Sequence, residues 1–188
     1  SPIFPTGGSN FLLSGQFTLP YSALGMMKPG QNPYKFPEFH KWRFNAEFYV
    51  PIGLARGAEK NKQFIIKAAA KYGFIGRYSK DLAVSPFERF QLGDAGLNNT
   101  YALLGKDIIA QRGYPIYSSS DPKVNPDNGT PTEFFTIFNK YVLELRYPFS
   151  TNPSSTIYGL GFFEAANDWY KFNDFNPFKI RRSAGIGM

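Results

Sequence analysis

Few side chains in this sequence can make or break bonds. It holds one histidine, His40, and no cysteine. A single imidazole supports neither a multi-histidine metal site nor a Ser-His-Asp arrangement, and His40 reads as a solvated loop residue. The absence of cysteine excludes a disulfide framework and any thiolate metal or nucleophile site. Asp81, Glu88, Asp94 and Asp107 fall in one stretch, but their spacing lacks a calcium-loop pattern, so ordinary solvation is expected of them. Gly159-x-Gly161 hints at a nucleotide loop, yet it lies in an alternating run with no helix after it. Asn98-Asn99-Thr100 matches a glycosylation acceptor only by chance. No catalytic residue, metal or cofactor is expected, and the chain does not read as an enzyme.

Two carboxylates remain, Glu144 and Glu164. Each sits on the polar face of an alternating segment: Glu144 with Lys140, Val142 and Arg146, and Glu164 with Phe162, Leu160 and Tyr158. Consecutive hairpin strands pair, which can bring such inward carboxylates close together. Two neighbouring carboxylates repel, and each favours a nearby cation. The chemistry on offer is therefore electrostatic: a place to hold a positive group.

The elements that carry these acids are strands. Phe11–Leu19 alternates apolar Phe11, Leu13, Phe17 and Leu19 with Ser14, Gln16 and Thr18 until Pro20. Trp42–Val50 alternates Trp42, Phe44, Ala46, Phe48 and Val50 with polar residues, and Pro51 is expected to stop it. Phe64–Arg77 carries Lys67 and Lys71 opposite an apolar set; Ala favours helix there, but the period of two continues on both sides. Ile137–Tyr147, Ile157–Ala165 and Ile180–Met188 complete six strands. The segment Ser79–Glu133 is rich in Gly, Pro, Asn and Asp and has no sustained period. So long an irregular loop in a compact domain usually has a task. Ile180–Met188 reads as a strand still running at the last residue, so a fragment is expected.

The composition bounds the class. The chain has 188 residues, a net charge of +7 and 18 % aromatic residues. No run of about 18 apolar residues exists, which excludes a transmembrane helix. A negative mean hydropathy does not exclude a membrane barrel, because only alternate residues face lipid. The excess of Lys and Arg fits nucleic acid, a basic soluble protein or a charged barrel lumen; it is scattered rather than gathered in a stripe, and nucleic acid is not expected as a partner. Trp42, Trp169 and Tyr170 read as an interfacial girdle.

Pro86-Phe87-Glu88-Arg89-Phe90-Gln91-Leu92-Gly93, followed by Gln111-Arg112-Gly113-Tyr114, resembles the long sixth extracellular loop of BamA-type outer-membrane assembly barrels, the C-terminal surface-antigen barrel family. Asp94 replaces the second glycine of that family's pair. In order after it, Val142-Leu143-Glu144-Leu145, Gly161-Phe162-Phe163-Glu164 and Lys179-Ile180-Arg181-Arg182-Ser183-Ala184-Gly185-Ile186-Gly187 resemble the three strands that follow the loop, with Glu164 where the family usually has Asp. Gly7-Gly8-Ser9-Asn10 before the first strand also fits. The resemblance spans nearly the whole chain.

It implies an all-β fold: an antiparallel transmembrane β-barrel of sixteen strands, of which residues 1–188 supply about six, strands nine to fourteen. The other strands and the periplasmic POTRA domains would lie outside this sequence. In the family the loop folds into the lumen. Carried over by residue, Arg112, Gly113 and Tyr114 form the loop tip, Glu144 and Glu164 are its partners on the wall, and Pro86, Phe87, Phe90 and Gly93 support it. An arginine offers a rigid fork of donors suited to carboxylates, and glycine beside it permits a tight turn. On residue chemistry alone, Arg112 also reads as an ordinary exposed loop arginine. The implied function is folding and insertion of β-barrel proteins into the cell outer membrane of Gram-negative bacteria. The implied partners are unfolded outer-membrane proteins, accessory lipoproteins of the assembly complex and the lipid bilayer. Two alternatives stay open: a related two-partner secretion or autotransporter-assembly barrel, and a soluble β-sandwich binding module. The sandwich requires the apolar strand faces to pack against one another.

Overall fold

The computed structural model describes residues 4–26, 37–53, 62–79, 85, 87–94, 106–114, 135–152 and 155–188. Eight strands follow in chain order: β1 Gly8–Phe17, β2 His40–Ile52, β3 Phe64–Gly76, β4 Arg89–Leu92, β5 Lys106–Ile109, β6 Ile137–Asn152, β7 Ser155–Trp169 and β8 Arg181–Gly187. Six of them form one antiparallel sheet in the order β1-β2-β3-β6-β7-β8, and β4 and β5 form a separate parallel pair. Among the described residues the helical content is a single 3-10 turn, Phe172–Asp174. No helix among the described residues is long and apolar enough to cross a membrane.

The register fixes the two faces. Glu144 pairs with Lys67 of β3 and Phe162 of β7, and Glu164 pairs with Val142 and Ser183. Because side chains alternate, all of these share one face, along with Lys41, Arg43, Glu47, Lys71, Lys140, Arg146 and Asp168. The opposite face is largely apolar and exposed, except at the end where residues 175–179 pack on Asn139, Asn167 and Trp169. Leu13 is 67 % exposed, Val50 55 %, Leu143 50 % and Ile186 91 %. No second sheet packs on these side chains among the described residues, so the sandwich alternative fails. Apolar-out, polar-in alternation on one wall is the pattern of a transmembrane barrel. At 16 and 15 residues, β6 and β7 exceed the roughly 9–11 residues a tilted strand needs to cross the hydrocarbon layer. The fold is therefore an open section of an antiparallel transmembrane β-barrel.

The strands differ from the sequence reading at their ends. Pro51 reads as the stop of β2, but β2 runs on to Ile52. The β1 ladder ends at Gly8–Tyr49, so Pro51 has a strand on one side only and behaves as an edge proline. β6 passes through Pro148, where the register slips between Pro148 and Ser150. A bulge is the other setting in which a strand tolerates proline.

The connection from β3 to β6 is not wholly irregular. It holds β4 and β5, each only four residues long and therefore too short to show a period. This parallel pair lies on the charged face. Phe90 is fully buried there, in a cluster with Phe39, Ile75 and Phe138, with Ile109 packed against it. Gly73 leaves the notch that admits the rings, since a Cβ at that position would lie 2.8 Å from Phe90 and closer still to Phe138.

Candidate functional site

The site is built where the inserted segment meets β6, β7 and β8. Gln111, Arg112, Gly113 and Tyr114 form a turn closed by the Tyr114 N–H on the Gln111 carbonyl, 3.3 Å. Gly113 takes φ +80°, the positive value that a type II turn requires of its third residue. The turn is pinned on both flanks. Gln111 Nε2 donates to the Arg181 carbonyl at 3.0 Å and Tyr114 donates its hydroxyl to the Arg182 carbonyl at 2.8 Å, both on β8. The Asp94 N–H returns to the Tyr114 carbonyl at 2.7 Å.

This turn aims Arg112 at both acids of the wall. Its Nη2 donates to Glu144 Oε1 at 2.5 Å and lies 2.7 Å from Glu164 Oε1. Its Nε donates to Glu164 Oε1 at 2.8 Å, and its backbone N–H to Glu164 Oε2 at 3.0 Å. The two carboxylates stand diagonally across the β6–β7 ladder, since Glu144 faces Phe162 and Glu164 faces Val142. A planar guanidinium bridges that diagonal as a compact ammonium does not. The Phe162 ring lies beneath it, 3.8 Å from the guanidinium carbon. That ring in turn needs Gly185 opposite, where a Cβ would fall 2.7 Å from it.

Two wall cations complete the cluster. Arg146 donates through Nε and Nη2 to Glu144 Oε2, at 2.8 and 2.5 Å. Lys140 Nζ lies 3.1 Å from Glu164 Oε2 and donates to the Ala110 carbonyl at 2.5 Å. Three cations thus surround two carboxylates whose side chains are 6 % and 3 % exposed. Burial by itself would lower the pKa of Arg112, but the hydrogen bonds to Glu144 and Glu164 outweigh it and hold the guanidinium above its ordinary value. The arrangement joins the inserted segment to the wall through ion pairs and charge-assisted hydrogen bonds.

The structure thus brings together Arg112, Gly113, Tyr114, Glu144 and Glu164. Glu164 accepts from both the backbone and the side chain of Arg112. Phe90 and Gly93 lie in the inserted segment, with the Gly93 N–H on the Ile109 carbonyl at 3.0 Å, while Phe87 is 51 % exposed. Pro86, Asp81 and Asn98–Thr100 lie outside the described residues. Three expectations are corrected. His40 is no solvated loop residue: it opens β2, accepts a hydrogen bond from Trp42 Nε1 at 3.2 Å and packs on Phe74 and Tyr78. Tyr170 lies under Arg89 of the inserted segment rather than in a girdle. Glu88 and Asp107 are not free acids in water, because both meet Lys41. No group of side chains able to hold a metal occurs among the described residues.

Comparison with known proteins decides the family. The model of the Omp85 superfamily domain matches residues 1–188. The chain belongs to the Omp85 superfamily. No curated protein matched the sequence. Membership, with the strand-built wall, makes this an outer-membrane β-barrel protein of the kind that works in assembly or secretion, among proteins that interact with other outer-membrane proteins and with the bilayer. Members of the superfamily are assembly and transport factors rather than enzymes. The Omp85 match covers the inserted segment as well as the wall, so the loop is part of the family domain.

Proposed function

We propose that this Omp85 chain is barrel wall of a BamA-type assembly factor, which folds other β-barrel proteins and inserts them into the outer membrane with the help of accessory lipoproteins. Within it, the inserted segment is a lumenal brace and Arg112 is its lock. The observation that carries this reading is the guanidinium of Arg112 shared between Glu144 and Glu164, on two wall strands, from a segment that lies on the inner face and outside the wall's own ladder. A loop held this way stiffens the wall from within, and the opposite seam of the closed barrel is left to open toward clients by main-chain pairing.

The test is complementation with the full-length protein in cells depleted of their own assembly factor. Arg112→Ala is expected to lower the amounts of several unrelated folded outer-membrane proteins at once while the variant itself still reaches the membrane. If only the export of a single partner protein falls, the chain serves two-partner secretion instead. Unchanged levels of all outer-membrane proteins would overturn the bracing role.

A further inference from the structure

A second charged cluster holds the inserted segment, at the end away from Arg112. Lys41 of β2 is almost wholly buried, its side chain 1 % exposed. Its Nζ lies 2.9 Å from Glu88 Oε2 and 2.9 Å from Asp107 Oδ2, both on the segment. Asp107 also pairs with Arg43, two residues along the same face of β2. The ammonium sits 5.0 Å from the centre of the buried Phe90 ring. Glu88 adopts φ 64°, the one positive value at a non-glycine among the described residues. Such a conformation is costly and persists only where its surroundings impose it. A lysine taken this far out of water needs partners, and a glutamate held in a strained conformation supplies one.

We propose that Lys41, assisted by Arg43, is a positioning residue for the lumenal segment: with Glu88 and Asp107 it forms a second lock, so that the segment ties β2 to β6 and β7 across the inner face. The tip lock reaches only β6 and β7, and at β4 and β5 the Lys41 pairs add charge to the hold of the Phe90 cluster and the Phe90–Phe135 backbone bonds. Two locks, one on β2 and one on β6 and β7 beyond β3, convert the loop into a cross-tie that sets the curvature of the wall between them. The consequence for assembly rests on the bracing role proposed above; the tie itself does not.

The experiment is hydrogen exchange on the full-length protein in nanodiscs, with Arg112 intact. Lys41→Met keeps the side-chain volume and removes the charge. Exchange in residues 87–94 and 106–109 is expected to rise by about tenfold or more, while residues 111–114 rise much less, because each part of the segment opens according to the bonds that hold that part. If Lys41→Met disrupts folding, the charge-reversed pair decides: Lys41→Glu is expected to lose protection of 87–94, and Lys41→Glu with Glu88→Lys to regain part of it. Protection of 87–94 and 106–109 unchanged in Lys41→Met, or no recovery in the reversed pair, would overturn the tie. Lost protection with client assembly intact would leave the tie standing and remove its bracing consequence.

Discussion

The two ends of the inserted segment are held by the same kind of bond with the polarity reversed. At the tip the segment contributes the cation, Arg112, and the wall contributes the acids, Glu144 and Glu164. At the β4–β5 end the segment contributes the acids, Glu88 and Asp107, and the wall contributes Lys41 and Arg43. This reversal of polarity gives the segment one favoured orientation. Turned end for end, it would set Glu88 and Asp107 against Glu144 and Glu164, and Arg112 against Lys41. Like charges that meet in a partly buried site cost enough to exclude the wrong seating, so repulsion contributes to specificity alongside attraction.

Reversing the charge at the tip breaks this scheme most severely. Arg112→Glu places a third carboxylate beside Glu144 and Glu164. Removing one member of a buried charge cluster commonly costs about 3–5 kcal/mol, and reversal adds repulsion to that loss. The full-length barrel is expected to lose its resistance to SDS at a far lower temperature than the parent, read on gels of unheated and heated samples. Adding Glu144→Arg is expected to restore part of the difference, because the carboxylate introduced at the tip then faces a cation on β6. Equal heat resistance of Arg112→Glu and parent would mean that the tip is not held as described.

Arg112→Lys gives the tip the same cation as the other end. A lysine keeps the charge but offers a point rather than a fork, and it cannot span the diagonal from Glu144 to Glu164 while lying flat on Phe162. The loss of at least one charge-assisted hydrogen bond is expected to cost about 1.5–3 kcal/mol. The reciprocal change, Lys41→Arg, meets two acids that both lie 2.9 Å from one nitrogen, so it demands a larger group in a site already filled by Phe90. Both variants are checked by the midpoint of thermal unfolding in detergent, and Arg112→Lys behaving as parent would show that the fork geometry is immaterial.

What the sequence discloses follows from how each feature is encoded. The faces of strands such as β2 are legible because a period of two persists from Trp42 to Val50. The tip is legible because Arg112, Gly113 and Tyr114 are contiguous and carry a family resemblance, and because Glu144 and Glu164 stand out as acids on strands. The second lock is not legible: Lys41 is one of several inward cations, and Asp107 and Glu88 lie in a stretch without a pattern. Only the fold brings them together, through strands of four residues that pair in parallel and leave no periodic trace. Strand ends are hidden for another reason. Pro51 reads as a stop, yet it is accommodated at the edge of the ladder, as Pro148 is at a bulge. His40 reads as loop because nothing local announces the Gly76 opposite it, where a Cβ would overlap the imidazole ring.

The smallest effect separates the members of the second lock. Arg43 shares Asp107 with Lys41, yet its side chain is 45 % exposed against 1 % for Lys41. Water and salt screen an exposed pair, and its flexible side chain gains little by being held. Arg43→Ala is therefore expected to cost about 0.5 kcal/mol or less in low salt. The cost should vanish on the order of 1 M salt, where screening acts within about 3 Å. Lys41→Met should keep more of its effect in high salt, because the ammonium and its Asp107 partner are only 1 % and 14 % exposed. Thermal midpoints of the two variants at low and high salt check this directly. A salt-dependent loss for Lys41→Met matching that of Arg43→Ala would mean that the ammonium meets its acids in water, and the inner face of β2 would then be a solvated surface rather than a seat for the segment.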